Sequence, residues 1–196
     1  MTGEMARILE DEILTCTRCR LSSGRTNAVP GEGPVPSRIL LIGEAPGEKE
    51  DSTGRPFAGR AGRVLDGLLS SIGLSRTDVF ITSVLKCRPP ENRDPKPDEI
   101  ALCKPYLDRQ IALLRPSVIV PMGRFSASVI MSQFGIPVGK ISEIHGTAFP
   151  ADAPHGRIII FPVYHPAVIT HNPPLRKDLE GDFWRLKEIL GTISPL

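Results

Sequence analysis

The sequence predicts an α/β fold in which helices cover a sheet of parallel strands. Short continuous apolar runs are typical of strands that are buried on both faces of such a sheet. Four runs of this kind alternate with segments whose apolar residues have helical spacing. Parallel strands joined through a helix form right-handed crossovers. The four strands are predicted at residues 38–42, 79–85, 117–122 and 157–163.

Five helices are predicted from apolar residues that recur every three or four positions. The first ends close to Cys16, and the second ends before Gly73, a residue type that commonly closes helices. We expect Pro105 to bend or restart the third helix, because proline removes a backbone donor and crowds the preceding turn. The helices are predicted near the N-terminus and at residues 64–72, 98–114, 124–134 and 175–190.

The composition indicates one domain over residues 1–196. Hydrophobic residues make up 40% of the 196 positions, and no linker or repeat divides the chain. No apolar run approaches the ~20 residues that a membrane-spanning helix needs. The formal net charge is only +2, which excludes a polybasic protein held to nucleic acid by its overall charge. Residues 1–11 carry no secretion signal. We therefore expect an intracellular, cytoplasmic monomer.

Four cysteines, the only ones in the chain, have the spacing of metal ligands. Cys16 and Cys19 form a C-x-x-C pair that grips a metal from a single turn, and Cys87 and Cys103 complete a four-thiolate shell. Disulfides are disfavoured because nothing directs the chain to an oxidising compartment. A redox C-x-x-C would leave the other two cysteines without a role. The pattern predicts one metal site, and its spacing suits zinc as well as an iron-sulfur cluster.

Residues capable of chemistry follow the predicted strands. In an α/β sheet, ligands bind at the carboxyl ends of the strands. The segment Gly43–Gly47, with the carboxylate of Glu44, follows the first strand, Ser83 ends the second, and His165 follows the fourth. A lone glutamate in a Gly/Pro turn or a lone histidine is more often structural, and Phe57 serves equally as a loop anchor or as a stacking surface. Three loops that meet at one sheet edge favour a functional site.

Four motifs resemble those of the uracil-DNA glycosylase superfamily. G-E-A-P-G at Gly43–Gly47 is similar to its first motif, G-R-P-F at Gly54–Phe57 to its base-stacking loop, and H-P-A-V at His165–Val168 to its second motif. K-C-R-P-P with N-R, at Lys86–Arg93, is also typical. The cysteines narrow the resemblance to the iron-sulfur family 4 enzymes, over nearly the whole chain. It implies a three-layer α/β/α sandwich with a central four-stranded parallel sheet, and a structural 4Fe-4S cluster on Cys16, Cys19, Cys87 and Cys103.

The resemblance also implies a DNA-repair enzyme that flips uracil out of single- or double-stranded DNA and hydrolyses its N-glycosidic bond. Phe57 would stack on the base, and His165 would stabilise the departing uracil at O2. Glu44 would place or activate the attacking water, or balance positive charge on the sugar. No lysine in the motifs is placed to form a Schiff base, so we expect an abasic product without strand cleavage. The implied uracil-binding residues are Gly43, Glu44, Ala45, Pro46, Phe57, Ser83 and His165.

Ser83 departs from the family pattern, which commonly has asparagine at the end of the second strand in I-T-N-V. A hydroxyl is shorter than an amide and does not offer a paired donor and acceptor to a base edge. The loss is worth about 1–3 kcal/mol of discrimination by analogy with base contacts in DNA grooves. A water fills the gap, the activity is weakened, or the preference shifts to hypoxanthine or xanthine. The intact motifs favour uracil.

Two other classes of function stay open at this stage. A zinc-containing hydrolase of nucleotides or phosphoesters would use Glu44 and His165 on a small substrate. A non-catalytic DNA-damage binding module would keep the fold without turnover. DNA contacts outside the base pocket are predicted at Arg88, Arg93, Arg176 and Lys177.

Overall fold

The computed structural model describes residues 2–193, and Met1 and residues 194–196 lie outside the described part. Its centre is a five-stranded sheet in the order β2-β1-β3-β5-β4. β1 is parallel to β2 and to β3, and β3 is parallel to β5. The strand β4 pairs antiparallel to β5. The strands are β1 Ile39–Gly43, β2 Phe80–Ser83, β3 Val118–Pro121, β4 Phe149–Ala153 and β5 Gly156–Ile160.

The described residues, 2–193, form eight α-helices. Apolar residues of β1 alternate between the two faces: Ile39 and Leu41 pack in a cluster with α3 and α8, and Leu40 and Ile42 pack in a second cluster with α4 and α5. Two buried cores, one on each face, make the three-layer α/β/α sandwich that the family resemblance implies. The helices are α1 Thr2–Leu14, α2 Glu48–Thr53, α3 Arg60–Ser71, α4 Pro97–Leu114, α5 Arg124–Gln133, α6 Ile141–Ile144, α7 Val168–His171 and α8 Arg176–Thr192.

The edge strand β4 adds a fifth strand to the predicted four. Its sequence, FPADA, contains a proline and an acidic residue, and its side chains are half-buried or exposed. Proline is tolerated at a sheet edge, where its missing donor faces no neighbour. Such a strand gives no continuous apolar run, which is why the sequence pattern does not predict it.

The predicted restart of the helix at Pro105 is wrong, because α4 continues through this residue; a bend there stays a prediction. Pro105 lies on the exposed side of the helix, where a helix tolerates slightly longer backbone hydrogen bonds. On the opposite side, the buried residues Tyr106, Leu107 and Ile111 hold the helix against the rest of the chain. Packing therefore outweighs the loss of one helical hydrogen bond.

The sheet places three loop starts at one edge. Gly43, the last residue of β1, pairs in register with Ser83, the last residue of β2. Beyond β3, Met122 forms an isolated parallel bridge with Val163, two residues before His165. The carboxyl ends of the parallel strands therefore bring the segments that follow them to a common edge, as expected for ligand binding in an α/β sheet.

Candidate active site

A cavity of about 490 Å³ lies at the carboxyl edge of the sheet. The structure brings Glu44, Ala45, Phe57, Ser83 and His165 together in its wall. They come from the loops after β1, β2 and β5 and from the segment before α3. The complete lining is Val29, Glu44, Ala45, Gly47, Glu50, Pro56, Phe57, Ala61, Ser83, Asn92, His165, Ala167 and His171.

Gly43 and Pro46, two predicted base-binding residues, do not line the cavity. Gly43 lies directly behind the ring of Phe57: a Cβ atom at this position would come 2.9 Å from Phe57 Cε2 and 3.1 Å from Ser83 Oγ. Only glycine fits there without displacing the ring. Pro46 is buried in the loop.

The carboxyl group of Glu44 is half-buried at the start of the loop after β1. The loop is held to the second strand's exit because Val84 and Leu85 donate backbone hydrogen bonds to the carbonyls of Gly43 and Glu44, both at 3.0 Å. Burial raises the pKa of Glu44 above 4.5, the charge of Asp94 raises it further, and Arg124 opposes both. The group is therefore a better base than an exposed glutamate, because its conjugate acid is weaker.

Phe57 is 6% exposed and forms one side of the cavity. Its backbone is in the left-handed region, with φ of 50°, which is uncommon for a bulky residue. Its ring stacks with that of His165, with 5.5 Å between centroids and 27° between planes. An apolar ring held at the cavity wall is suited to stacking on a planar base.

His165 is half-buried in the cavity wall, and its ring is neutral at pH 7. Burial lowers its pKa from 6.5 to about 4, although the charge of Glu50 acts in the opposite direction. Its Nδ1 accepts a hydrogen bond from the backbone N–H of Ala167 at 3.2 Å. Because Nδ1 is the acceptor, the proton of the neutral ring belongs on Nε2, which is then a hydrogen-bond donor.

Glu50, which the sequence motifs did not single out, connects the two loops that shape the cavity. Its Oε2 accepts a hydrogen bond from Gly47 N at 3.1 Å, and its Oε1 accepts one from Gly59 N at 2.9 Å. One carboxylate thus bridges the segment after β1 and the end of the Phe57 segment. In the sequence, the only indication of this role is that Glu50 lies three residues after a glycine at a helix start.

Asn92 also lines the cavity, although it was marked only as part of the N-R motif and not among the predicted site residues. It is in the left-handed region with φ of 54°, a conformation that asparagine adopts more readily than most residues. Its Oδ1 accepts a hydrogen bond from Arg88 Nε at 2.8 Å. A side-chain amide thus lies at the cavity wall that also contains Ser83. Its neighbours in a Pro-rich loop gave no periodic signal.

The four cysteines line a second, smaller cavity, together with Arg25 and Lys86. All four are free thiols, so the structure contains no disulfide among residues 2–193. Cys87 Sγ accepts a hydrogen bond from Arg25 Nη1 at 3.1 Å, and Cys103 Sγ accepts one from Lys86 N at 3.3 Å. Burial raises the pKa of Cys103 to about 11 and also raises the pKa of Cys87.

Within residues 2–193, no three side chains of His, Cys, Asp or Glu are placed to hold a single metal ion. The four thiols nevertheless share one cavity wall. An all-thiol donor set with N–H donors to its sulfurs is the environment of an iron-sulfur cluster. The donor set therefore fits an iron-sulfur cluster by its chemistry.

The predicted DNA contacts differ in their surroundings. Arg93 donates to both oxygens of the fully buried Glu99, at 2.9 and 2.6 Å. The guanidinium group of Arg93 is therefore paired with a carboxylate inside the protein. Arg88 is held by Asn92. Arg176 and Lys177 are exposed at the start of α8, and Arg176 also lines a groove between α3 and α8.

The α/β sandwich and its edge cavity, with an aromatic wall, a neutral histidine and a carboxylate, define a class of enzymes that act on nucleobases. The model of one such family, the uracil DNA glycosylase superfamily, matches residues 30–186. The chain belongs to this superfamily and, by its relatives, to the type-4 family.

Three relatives show how much of the chain is shared, and each is named a type-4 uracil-DNA glycosylase. The protein of Sulfurisphaera tokodaii is 48% identical over 94% of this chain and 84% of its own length. That of Archaeoglobus fulgidus is 44% identical over 94% and 92%. That of Thermotoga maritima is 42% identical over 86% and 85%. Among residues 2–193, no helix is both long and apolar enough to cross a membrane.

Proposed function

We propose that this protein is a uracil-DNA glycosylase that extrudes uracil from DNA into the edge cavity and hydrolyses its N-glycosidic bond. The observation that carries the proposal is the presence of Glu44, Phe57 and His165 in the wall of one cavity. The family to which the chain belongs supports the same reaction. The product is an abasic site.

Extrusion of the base costs stacking and pairing energy of a few kcal/mol. The buried ring of Phe57 offsets part of this cost by stacking on the extruded base. Base–aromatic stacking is worth about 1–3 kcal/mol. Ser83 and the backbone of Ala45 line the same cavity and contact the edges of the base.

Cleavage of the bond places negative charge on the departing uracil. In this account His165 donates its Nε2 proton in a hydrogen bond to uracil O2. A neutral donor at a buried site needs no reorganisation as the charge develops, which is the source of transition-state stabilisation. The hydrogen bond from Ala167 N to Nδ1 keeps the ring in the required tautomer.

Glu44 acts on the opposite side of the reaction. Its ionised carboxylate orients or deprotonates the attacking water, and its charge balances the cation character of the sugar. Either action requires the ionised form. Among the described residues, no lysine lines the cavity. Water is therefore the nucleophile, and the enzyme leaves the DNA strand intact.

The four cysteines hold a structural 4Fe-4S cluster in this proposal. When bound, the cluster supplies a rigid link and no redox step. Its ligands belong to the segment after α1, to the loop after β2 and to α4, so they tie the exit of the base-binding strand to two helices. Zinc is the less favoured occupant, because the motifs and the cysteine spacing resemble those of the iron-sulfur family 4 enzymes.

Arg88, Arg176 and Lys177 are proposed to contact DNA phosphates, with Arg93 supporting its loop through Glu99. The protein is proposed to act as a monomer on single- or double-stranded DNA. Free thiols that serve as ligands require a reducing compartment, which supports an intracellular, cytoplasmic location.

A base-release assay tests the proposed function. Matched duplexes and single strands that contain uracil, hypoxanthine or xanthine are incubated with the protein, and free base and abasic sites are measured. We expect release of uracil and an intact strand until alkali is added. Binding of uracil-containing DNA without release, or release of hypoxanthine alone, would contradict the proposal.

A further inference from the structure

The backbone of Phe57 requires support from outside its own loop. Its φ of 50° is in the left-handed region, which is unfavourable for a residue with a bulky side chain. Such conformations persist only where the surrounding structure fixes them. The segment before α3 is irregular from 54 to 59 and provides no sheet or helix ladder for this purpose.

Arg76 provides that support from a distant part of the chain. This residue begins a short 3-10 helix, Arg76–Asp78, just before β2. Its Nη1 donates to the carbonyl of Pro56 at 2.9 Å, and its Nη2 donates to the carbonyl of Phe57 at 2.5 Å. The planar guanidinium group of Arg76 therefore binds the carbonyl of Pro56 and the carbonyl of Phe57 itself, on either side of the Phe57 Cα atom.

The guanidinium is itself fixed by two carboxylates. Nη1 also donates to Glu32 Oε1, and Nε donates to Asp66 Oδ1, both at 2.7 Å. Asp66 belongs to α3, and Glu32 is hydrogen-bonded through its backbone N–H and carbonyl to Ile81 of β2, at 2.9 and 2.8 Å. The arginine side chain is 23% exposed. The guanidinium group of Arg76 is thus held by residues bound to α3 and β2, and it in turn holds the backbone of Phe57.

We propose that Arg76 is a positioning residue for base excision, which sets the ring of Phe57 at the angle needed to stack on the extruded base. The inference rests on the proposed stacking role of Phe57. Arg76 lies outside the cavity lining, so it acts on the base only through Phe57.

A general structural role would give a different result. If the arginine only stabilised the fold, its loss would lower activity by the same factor whether or not a phenyl ring is present. If it acts through Phe57, its loss matters only while the ring is there. A double-mutant cycle separates the two cases.

The experiment measures the single-turnover excision of uracil and the inhibition constant of free uracil for R76Q, F57A, and the double variant. R109Q is the control, because Arg109 also has a carboxylate partner, Glu12, but lies on α4 away from the cavity. We expect R76Q to lose about tenfold in excision and in affinity for free uracil, and R109Q to match the unaltered protein. In the F57A background, we expect the same Arg76 substitution to change excision less than twofold.

Equal losses from R76Q in both backgrounds, or no loss in either, would overturn the role of Arg76. An unaffected F57A variant would instead overturn the stacking role of Phe57, and so the two failures are distinguishable. R76K provides the same cycle if R76Q does not fold. It retains the charge but not the planar fork, and we expect an intermediate loss that again disappears in the F57A background.

Discussion

The rings of Phe57 and His165 stack with 5.5 Å between their centroids and 27° between their planes. The two residues are far apart in the sequence: Phe57 lies in the segment before α3, and His165 lies in the loop after β5. The phenyl ring offers a face to a base, and the imidazole offers an N–H donor. This arrangement supports the proposal that both groups act on the same base, one by stacking and the other on the charge that develops at its edge.

Removal of the His165 donor should slow the chemical step. We expect H165A, which leaves no hydrogen-bond donor at this position, to lower kcat by about 10²- to 10³-fold, the usual loss for a missing oxyanion donor, with a much smaller change in KM. Steady-state kinetics on a uracil-containing duplex measures both. The matched control is H155A, because His155 contacts the carbonyl of Pro116 and does not line the cavity. Equal losses of kcat in both variants would contradict the assignment of His165 as the donor to the departing uracil.

The pH dependence of kcat/KM should reflect the ionisation of Glu44 and not that of His165. Burial raises the pKa of Glu44 above 4.5, so activity should rise with pH as this carboxyl group ionises. His165 has a pKa of about 4, so it is already neutral above that pH and contributes no step near 6.5. We expect E44Q to remove the acidic limb of the kcat/KM profile and to lower its plateau. A limb near 6.5 that disappears in H165Q would show that the histidine acts in its charged form.

Gly62 should be intolerant of a side chain. A Cβ atom there would lie 1.6 Å from the backbone oxygen of Phe57, and a backbone atom cannot yield as a flexible side chain does. We expect G62A to lower the free energy of unfolding by about 1–3 kcal/mol and to reduce excision by displacing Phe57.

The control for this substitution is G67A on the same helix, where nothing lies within 4 Å of the added carbon. Alanine in a helix interior is favoured over glycine by about 0.5–1 kcal/mol. G67A should therefore be stabilised and fully active. Urea denaturation and the excision assay measure both quantities, and a stable, active G62A variant would refute the steric argument.

Ser83 should limit discrimination between bases. The residue is 5% exposed at the end of β2 and offers one hydroxyl to the cavity. An amide that reads both a donor and an acceptor is worth about 1–3 kcal/mol. We expect S83N to raise kcat/KM for uracil by roughly tenfold while activity on hypoxanthine stays unchanged. A lower activity on uracil would show that the cavity is shaped around serine.

The cysteine site should contain iron. We expect purified protein to be brown and to contain iron rather than zinc by elemental analysis. We expect C87S to lose the visible absorption and to melt at a lower temperature, because three separate segments are no longer joined. A colourless protein with stoichiometric zinc would contradict the cluster.

The meeting of Glu44, Ser83 and His165 was predictable because parallel strands deliver their last and following residues to one edge, whereas Phe57 was assigned to the site by the family resemblance. Motif spacing also predicted the four cysteines that line the second cavity. Local patterns did not predict β4, which has no apolar run, or the continuity of α4 through Pro105, which depends on packing. They also missed Glu50 and Arg76, because a carboxylate or guanidinium that binds remote backbone groups leaves no periodic trace in the sequence.

A crystal structure of the protein soaked with free uracil would show where the base binds. We expect a pyrimidine ring stacked on Phe57, with O2 within hydrogen-bond distance of His165 Nε2 and Ser83 at its edge. Uracil bound in the groove between α3 and α8, or seated in the edge cavity without contact to either ring, would contradict this expectation.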